Sequence, residues 1–207
     1  MIRTAYPLFA KLAAFVLAMA LTFSCSSDKD DDSPDPGSGG GSCDISGYRK
    51  VPMPDGKTWM AENLNCDVAG SVCYDKDPAN CAKYGRLYNW AAAKTVCPSP
   101  WRLPSDAEWE ALVTAVGSSA GNKLKADSPL WNSNFKGTDE FGFSALPGGY
   151  GSSDGSFGSV GRYGGWWSAT ESAASSAYYR DIDYDGAIVG KSMSRKTDFI
   201  SVRCVQD

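Results

Sequence analysis

The chain has 207 residues, with 20 Lys and Arg against 24 Asp and Glu, a net charge of -4 and no histidine. The acidic balance excludes a nucleic-acid face, which needs a basic surface for phosphates. The missing histidine removes the usual catalytic triad and most zinc sites. Glycine at 22 residues and aromatics at 12% point to one medium, turn-rich, strand-containing domain plus targeting material.

In chain order, residues 1–24 read as a secretory signal. Arg3 and Lys11 supply positive charge, and the apolar run from Leu12 to Phe23 is short for a bilayer span. Leu21-Thr22-Phe23-Ser24-Cys25 resembles the lipobox of bacterial lipoproteins, in which the cysteine becomes the lipidated first residue. Phe23 stands where that motif usually has a small side chain. Ordinary secretion with Cys25 discarded is the alternative. Residues 25–42 open with the acidic run Asp28-Lys29-Asp30-Asp31-Asp32 and continue rich in Pro, Gly and Ser, so they read as a tether unable to bury a core. The acidic run resembles the surface-export signal of lipoproteins in the Bacteroidetes; a solubilising spacer is the bland reading. The expected address is a surface-exposed outer-membrane lipoprotein, held to the membrane through a lipid on Cys25.

Residues 43–207 hold the globular domain. A turn at Pro54-Asp55-Gly56 followed by a strand from Thr58 to Ala61 predicts an opening hairpin. Arg86 to Val96 reads as a strand passing into a short helix that starts at Asn89 and turns Trp90, Ala93 and Val96 inward. A second helix is the best signalled element. Ser105 is its N-cap, Glu108 completes a capping box, and Trp109, Leu112, Val113 and Val116 form one apolar stripe ended by Gly117. Asn122 to Phe141 reads as loop with one more helical turn, and Phe141 to Leu146 alternates as a strand. Tyr150 to Gly164 reads as a long glycine-rich loop. Strands follow at Trp166 to Thr170, Ala177 to Tyr184 and Ile200 to Val205. The expected class is α+β, with two short helices packed on antiparallel strands.

Setting Cys25 apart, six cysteines remain, an even number that in an exported domain argues for three disulfides. Metal binding is the rival, but no C-x-x-C pair is present. Cys73 and Cys81 flank a turn-forming segment suited to a local staple, Cys97 and Cys204 would close nearly the whole domain, and Cys43 would pair with Cys66 by elimination. Six cysteines allow many other pairings.

Four ordered motifs carry a resemblance: Cys73 to Trp90, Trp101-Arg-Leu-Pro-Ser-Asp-Ala-Glu-Trp109, Gly165-Trp-Trp-Ser-Ala-Thr-Glu171 and Ser201-Val-Arg-Cys-Val205. Together they resemble the Fibrobacter succinogenes major paralogous domain, over roughly Cys43 to Asp207. The resemblance implies a C-type lectin-like fold, shared with formylglycine-generating enzymes. In that fold a disulfide ties the first helix to the last strand, which favours Cys97–Cys204.

Two kinds of site suggest themselves. Asp181-Ile-Asp183-Tyr-Asp185-Gly186 matches the opening of an EF-hand calcium loop, but Ser192 stands where the bidentate Glu is needed. A strand entering a hairpin turn explains the same residues. The sugar motifs of calcium-dependent lectins, Glu-Pro-Asn and Gln-Pro-Asp, are absent. Aromatic stacking on sugar faces is the other route, with candidates Tyr150, Phe157, Tyr163, Trp166 and Trp167, and with Tyr178 and Tyr179 nearby. For Trp101, Trp109 and one of Trp166 and Trp167 a place in the core is the stronger reading, since neighbours on a strand face opposite ways and only one of that pair can be buried on a given face. The functional expectation is a non-catalytic module that binds glycan or a surface protein and needs no cofactor, with calcium as the one candidate. A structural or adhesive envelope component is second. An enzyme of the formylglycine-generating type is third, because its reactive cysteine pair would be consumed by the bridges.

Overall fold

The computed structural model describes residues 43–132 and 136–207. The signal, Cys25 and the tether lie outside them. Among the described residues no helix is long and apolar enough to cross a membrane.

The chain opens with a hairpin, β1 (Lys50–Pro52) and β2 (Thr58–Met60), which the last strand β11 (Val205–Gln206) joins on the far side of β2. Next come β3 (Ser71–Val72), a 3-10 turn at Tyr74–Lys76 and α1 (Pro78–Tyr84). Then follow β4 (Leu87–Tyr88), α2 (Trp90–Val96), α3 (Asp106–Val116) and α4 (Ala120–Leu124). The second half holds a small hairpin, β5 (Tyr150–Gly151) and β6 (Phe157–Gly158), and the long strands β7 (Tyr163–Ala173), β8 (Ser176–Asp183) and β9 (Gly190–Arg195). With β10 (Ile200–Ser201) they build a six-stranded sheet in the order β3-β4-β10-β7-β8-β9. Its pairs are antiparallel except β10 with β7, which run parallel.

Each of the first three helices starts on a side chain that satisfies an orphan N–H. Asp77 accepts from Ala79 N at 2.9 Å with Pro78 behind it, and Asn89 accepts from Ala92 N at 2.9 Å. For α3 the box is complete: Glu108 N donates to Ser105 Oγ at 3.3 Å and Ser105 N donates to Glu108 Oε2 at 2.9 Å.

The central strand β7 divides the core. Trp166 and Trp167 are both fully buried, on opposite faces of the sheet. Trp166 packs with Trp59, Trp109, Leu112 and Phe143 beneath α3, and Trp167 packs with Tyr88, Trp90, Ala93 and Ile200 beneath α2. The indole N–H groups find acceptors inside: Trp166 donates to Asn63 Oδ1 at 2.8 Å and Trp167 to the Tyr88 carbonyl at 2.7 Å. Covering both faces of the sheet lets adjacent tryptophans be core together, and it removes Trp166 and Trp167 as ligand platforms.

Three disulfides join Cys43 to Cys66, Cys73 to Cys81 and Cys97 to Cys204, the pairing proposed above.

The architecture is α+β, with differences in detail. Among the described residues four α-helices are present rather than two. The stretch between Cys73 and Cys81 contains the start of α1, signalled by Asp77-Pro78 as an N-cap with proline at the first helical position. Phe141 to Leu146 is not a strand. Asp139 and Ser144 take positive φ of 47° and 53°, and the Asp139 carboxylate accepts from both Ser144 N and Ser144 Oγ at 2.6 Å. This local cap curls a run whose alternation mimics a strand. The long loop from Tyr150 contains the β5–β6 hairpin, with Tyr150 opposite Gly158. Its turn is held by Asp154, which accepts from Ser156 N at 2.9 Å.

Candidate binding groove

Tyr163 and Tyr179 lie on the face of the sheet that carries Trp167, with Tyr179 directly opposite Trp167, and with Ser194 they line an open part of the surface. The β5–β6 hairpin borders this patch. Gly151 and Phe199 exchange backbone hydrogen bonds of 2.9 and 2.8 Å, which fasten the hairpin beside Ile200. A second fastening comes from Asp198, whose carboxylate accepts from Ser153 N at 3.2 Å, Ser194 Oγ at 2.7 Å and Arg195 Nε at 3.3 Å. Burial alone would raise the Asp198 carboxyl, but Ser194 and Arg195 outweigh it and hold it below the ordinary carboxylate value.

Between hairpin and sheet lies a groove of about 340 Å³, walled by Tyr150, Tyr163 and Tyr179, with Ser152, Ser159 and Ser194 along it and Ile200 at its base. Two glycines make the aromatic wall possible. A methyl group at Gly165 would stand 3.2 Å from the Tyr163 ring and 3.5 Å from the Tyr179 ring, so the bare backbone lets the two rings close over it. At Gly158 a methyl group would meet the Tyr150 hydroxyl at 2.9 Å. The Tyr163 hydroxyl donates to the Tyr179 hydroxyl at 3.0 Å, and Tyr150 stands edge-on to Tyr163 with ring centroids 6.2 Å apart. Burial raises the phenols of Tyr163 and Tyr179, so both stay neutral hydrogen-bonding groups. Tyr150 is 40% exposed, unusual for a large apolar side chain in this domain.

The structure therefore brings Tyr150 and Tyr163 together and adds Tyr179. Phe157 stands outside the groove, packed on Tyr74 with centroids 5.3 Å apart. Ser152, Ser159, Ser194 and Asp198 went unread as site residues in the sequence. A signal existed for Ser194: in Gly190 to Arg195 the serines alternate with Lys191, Met193 and Arg195, the period of a half-buried strand.

Asp181 lies in β8 between Gly165 and Gly190 of the neighbouring strands. Burial raises its carboxyl, and its buried Oδ1 has no hydrogen-bond partner. Asp183 and Asp185 are exposed. Among the described residues no group of three or more Asp, Glu, Cys or His side chains is arranged to hold a metal. The turn after β8 is instead gripped by the buried Lys125, whose ammonium donates to the carbonyls of Asp183 and Tyr184 at 3.2 and 2.9 Å. A cation seated on that turn would meet a like charge already there.

A wider, more polar cleft of about 660 Å³ opens between Tyr48, Glu62, Asn65, Lys83 and Tyr84. Asn63 borders it, but its side chain is engaged inside by Trp166, Arg203 and the Tyr84 carbonyl. Tyr48 and Tyr84 line it, but among the described residues they form no ring pair of the kind Tyr150 makes with Tyr163.

A family model, the Fibrobacter succinogenes major domain, matches residues 55–206. The chain belongs to this family. All three tyrosines of the groove and the last disulfide lie inside the matched span of this Fibrobacter succinogenes major domain. No curated protein and no solved structure matches the chain.

Proposed function

We propose that the domain is a non-catalytic binding module that recognises glycan through the groove of Tyr150, Tyr163 and Tyr179. The observation that carries this reading is the half-exposed Tyr150 ring at the mouth of a cavity lined further by Tyr163, Tyr179 and three serines, with Asp198 and Ile200 beside them. Sugars present an apolar face of C–H groups and a rim of hydroxyls. A phenol ring matches the first and neutral hydroxyls match the second. All six cysteines among the described residues are engaged in bridges, which leaves none of them as a thiol for oxidation chemistry of the formylglycine-generating type. Recognition in this groove is independent of calcium.

We read the fold as C-type lectin-like; the support is the disulfide from Cys97, directly after α2, to Cys204 beside the closing strand β11. The module is carried by an outer-membrane lipoprotein, anchored through Cys25 and displayed at the surface on the acidic tether. Binding of the purified protein to an array of plant, host and bacterial glycans, with and without EDTA, tests the proposal. Specific binding that survives EDTA is expected. Binding lost with EDTA would return calcium to the Asp181–Asp185 turn, and a blank array with capture of a surface protein would replace glycan by a protein partner.

A further inference from the structure

Away from the groove, Trp90 is held rigidly at the start of α2. Its Nε1 donates to the Ser168 carbonyl at 2.8 Å, and its backbone N–H donates to the Lys196 carbonyl at 3.0 Å. Two ammonium groups converge on this one ring: Lys94 Nζ, a turn further along α2, and Lys196 Nζ, just after β9, each 4.6 Å from its centroid. The two cations are therefore no farther apart than twice that distance. A single lysine over an aromatic face is accounted for by cation–π attraction. A second at the same ring adds repulsion between like charges, in a chain whose net charge is -4.

Counter-charge reaches only one of them. Lys196 meets Glu171 Oε1 at 3.1 Å and the Ala174 carbonyl at 2.9 Å. Lys94 has no carboxylate within ion-pair distance among the described residues. At the same place the surface is concave: a cavity of about 510 Å³ is lined by Trp90, both lysines, Asn89, Thr95 and Thr197. Thr197 is exposed.

We infer that this cavity is a second ligand site, which takes an oxyanion carried on a ring, with Lys94 and Lys196 sharing the charge. The methylene stems of the lysines and the edge of the Trp90 indole supply an apolar floor for the ring. The carboxylate of Glu171 competes with the ligand for Lys196. The inference is independent of the tyrosine groove, whose walls hold no free cation.

Titration of the purified protein with trigalacturonate, a sulfated disaccharide, inorganic sulfate and neutral maltotriose tests it. At least one charged ring ligand is expected to bind, maltotriose is not, and affinity is expected to fall steeply as salt rises. The trigalacturonate and sulfated arms tell a carboxylate source from a sulfate source. Lys94→Gln combined with Lys196→Gln should weaken binding at least tenfold with Tyr150-dependent binding intact. Glu171→Gln should strengthen it about threefold or more, because it frees Lys196 from its paired carboxylate. Because Lys196 also pairs with Glu171 and donates to the Ala174 carbonyl, Lys94→Gln alone serves as the variant least able to disturb the fold. Equal binding of neutral and charged sugars, binding of none, or a double variant with unchanged affinity would overturn the assignment.

Discussion

Arg203 is fully buried and meets no carboxylate among the described residues. Its guanidinium donates to Asn63 Oδ1 at 2.9 Å, to the Met60 and Ser144 carbonyls at 3.4 and 2.7 Å, and to the Phe143 carbonyl. The Phe143 ring lies under it at 4.3 Å. Burial pushes the group down to about 9, so it remains charged at neutral pH. These bonds tie the last strands to the loop that the Phe141–Leu146 alternation disguises as a strand. Arg203→Met should lower the unfolding free energy by about 3 kcal/mol, because several buried acceptors lose their donor at once. Arg203→Lys should not restore it, since an ammonium lacks the planar fork. Urea denaturation reads both, and a near-neutral Arg203→Met would contradict this role.

Asp181 carries the opposite sign. Its folded carboxyl is raised above the unfolded value by burial, so the folded state holds its proton more tightly, and the ionised group weakens the fold as pH rises above about 4. Asp181→Asn should therefore melt higher than wild type at pH 7, with the gap closing at low pH. Asp106, Glu108 and Asp198 work the other way. Burial opposes their ionisation, but Lys191 and Arg180, then Ser105 and Arg102, then Ser194 and Arg195 hold them below their ordinary values. Their contribution is full above about pH 4 and is lost as pH falls through the lowered values. Melting curves across pH 2.5 to 7 should show stability declining at the acid end in both proteins, an expectation taken from these carboxylates.

Among the elements, the capped helices were the most legible. Ser105, Glu108 and Gly117 bound α3 in the structure as they do in the sequence, because caps act through residues only a few positions apart. Ser105→Ala should cost about 1 kcal/mol by denaturation, with Glu108→Ala overlapping it since both belong to one box. Strand content was harder to read. Phe141 to Leu146 has the right period, yet its conformation is decided by Asp139 and by Arg203, which is distant in sequence. Tyr150 to Gly158 reads as loop because glycine and serine dominate it, although Gly151 and Gly158 lie in paired strands. The groove was half legible for the same reason. Exposed aromatics were visible as a class, but which of them meet depends on Gly165 admitting Tyr163 and Tyr179, and on a sheet covered on both faces, which buries both Trp166 and Trp167.

At the scale of the whole molecule, three bridges and two separate apolar clusters hold one sheet from both sides. The bridge from Cys97 to Cys204 spans 107 positions and that from Cys73 to Cys81 spans 8. The chain-entropy argument assigns about 4–5 kcal/mol to the first and about 2.5 kcal/mol to the second. Replacing the Cys97–Cys204 pair with alanines should therefore lower the melting temperature far more than replacing Cys73–Cys81, and a larger loss from the short bridge would contradict that order. Within this frame the Gly151–Phe199 backbone bonds and the Asp198 carboxylate fix the hairpin against the sheet.

The measurement closest to the central claim is the glycan array run side by side on wild type and on Tyr150→Ala, a change at an exposed ring that leaves the core intact. The account predicts specific, EDTA-resistant glycan binding by wild type that falls at least tenfold in the variant while the melting temperature holds. Equal binding by the two proteins, or none by wild type, would contradict a glycan site in the tyrosine groove.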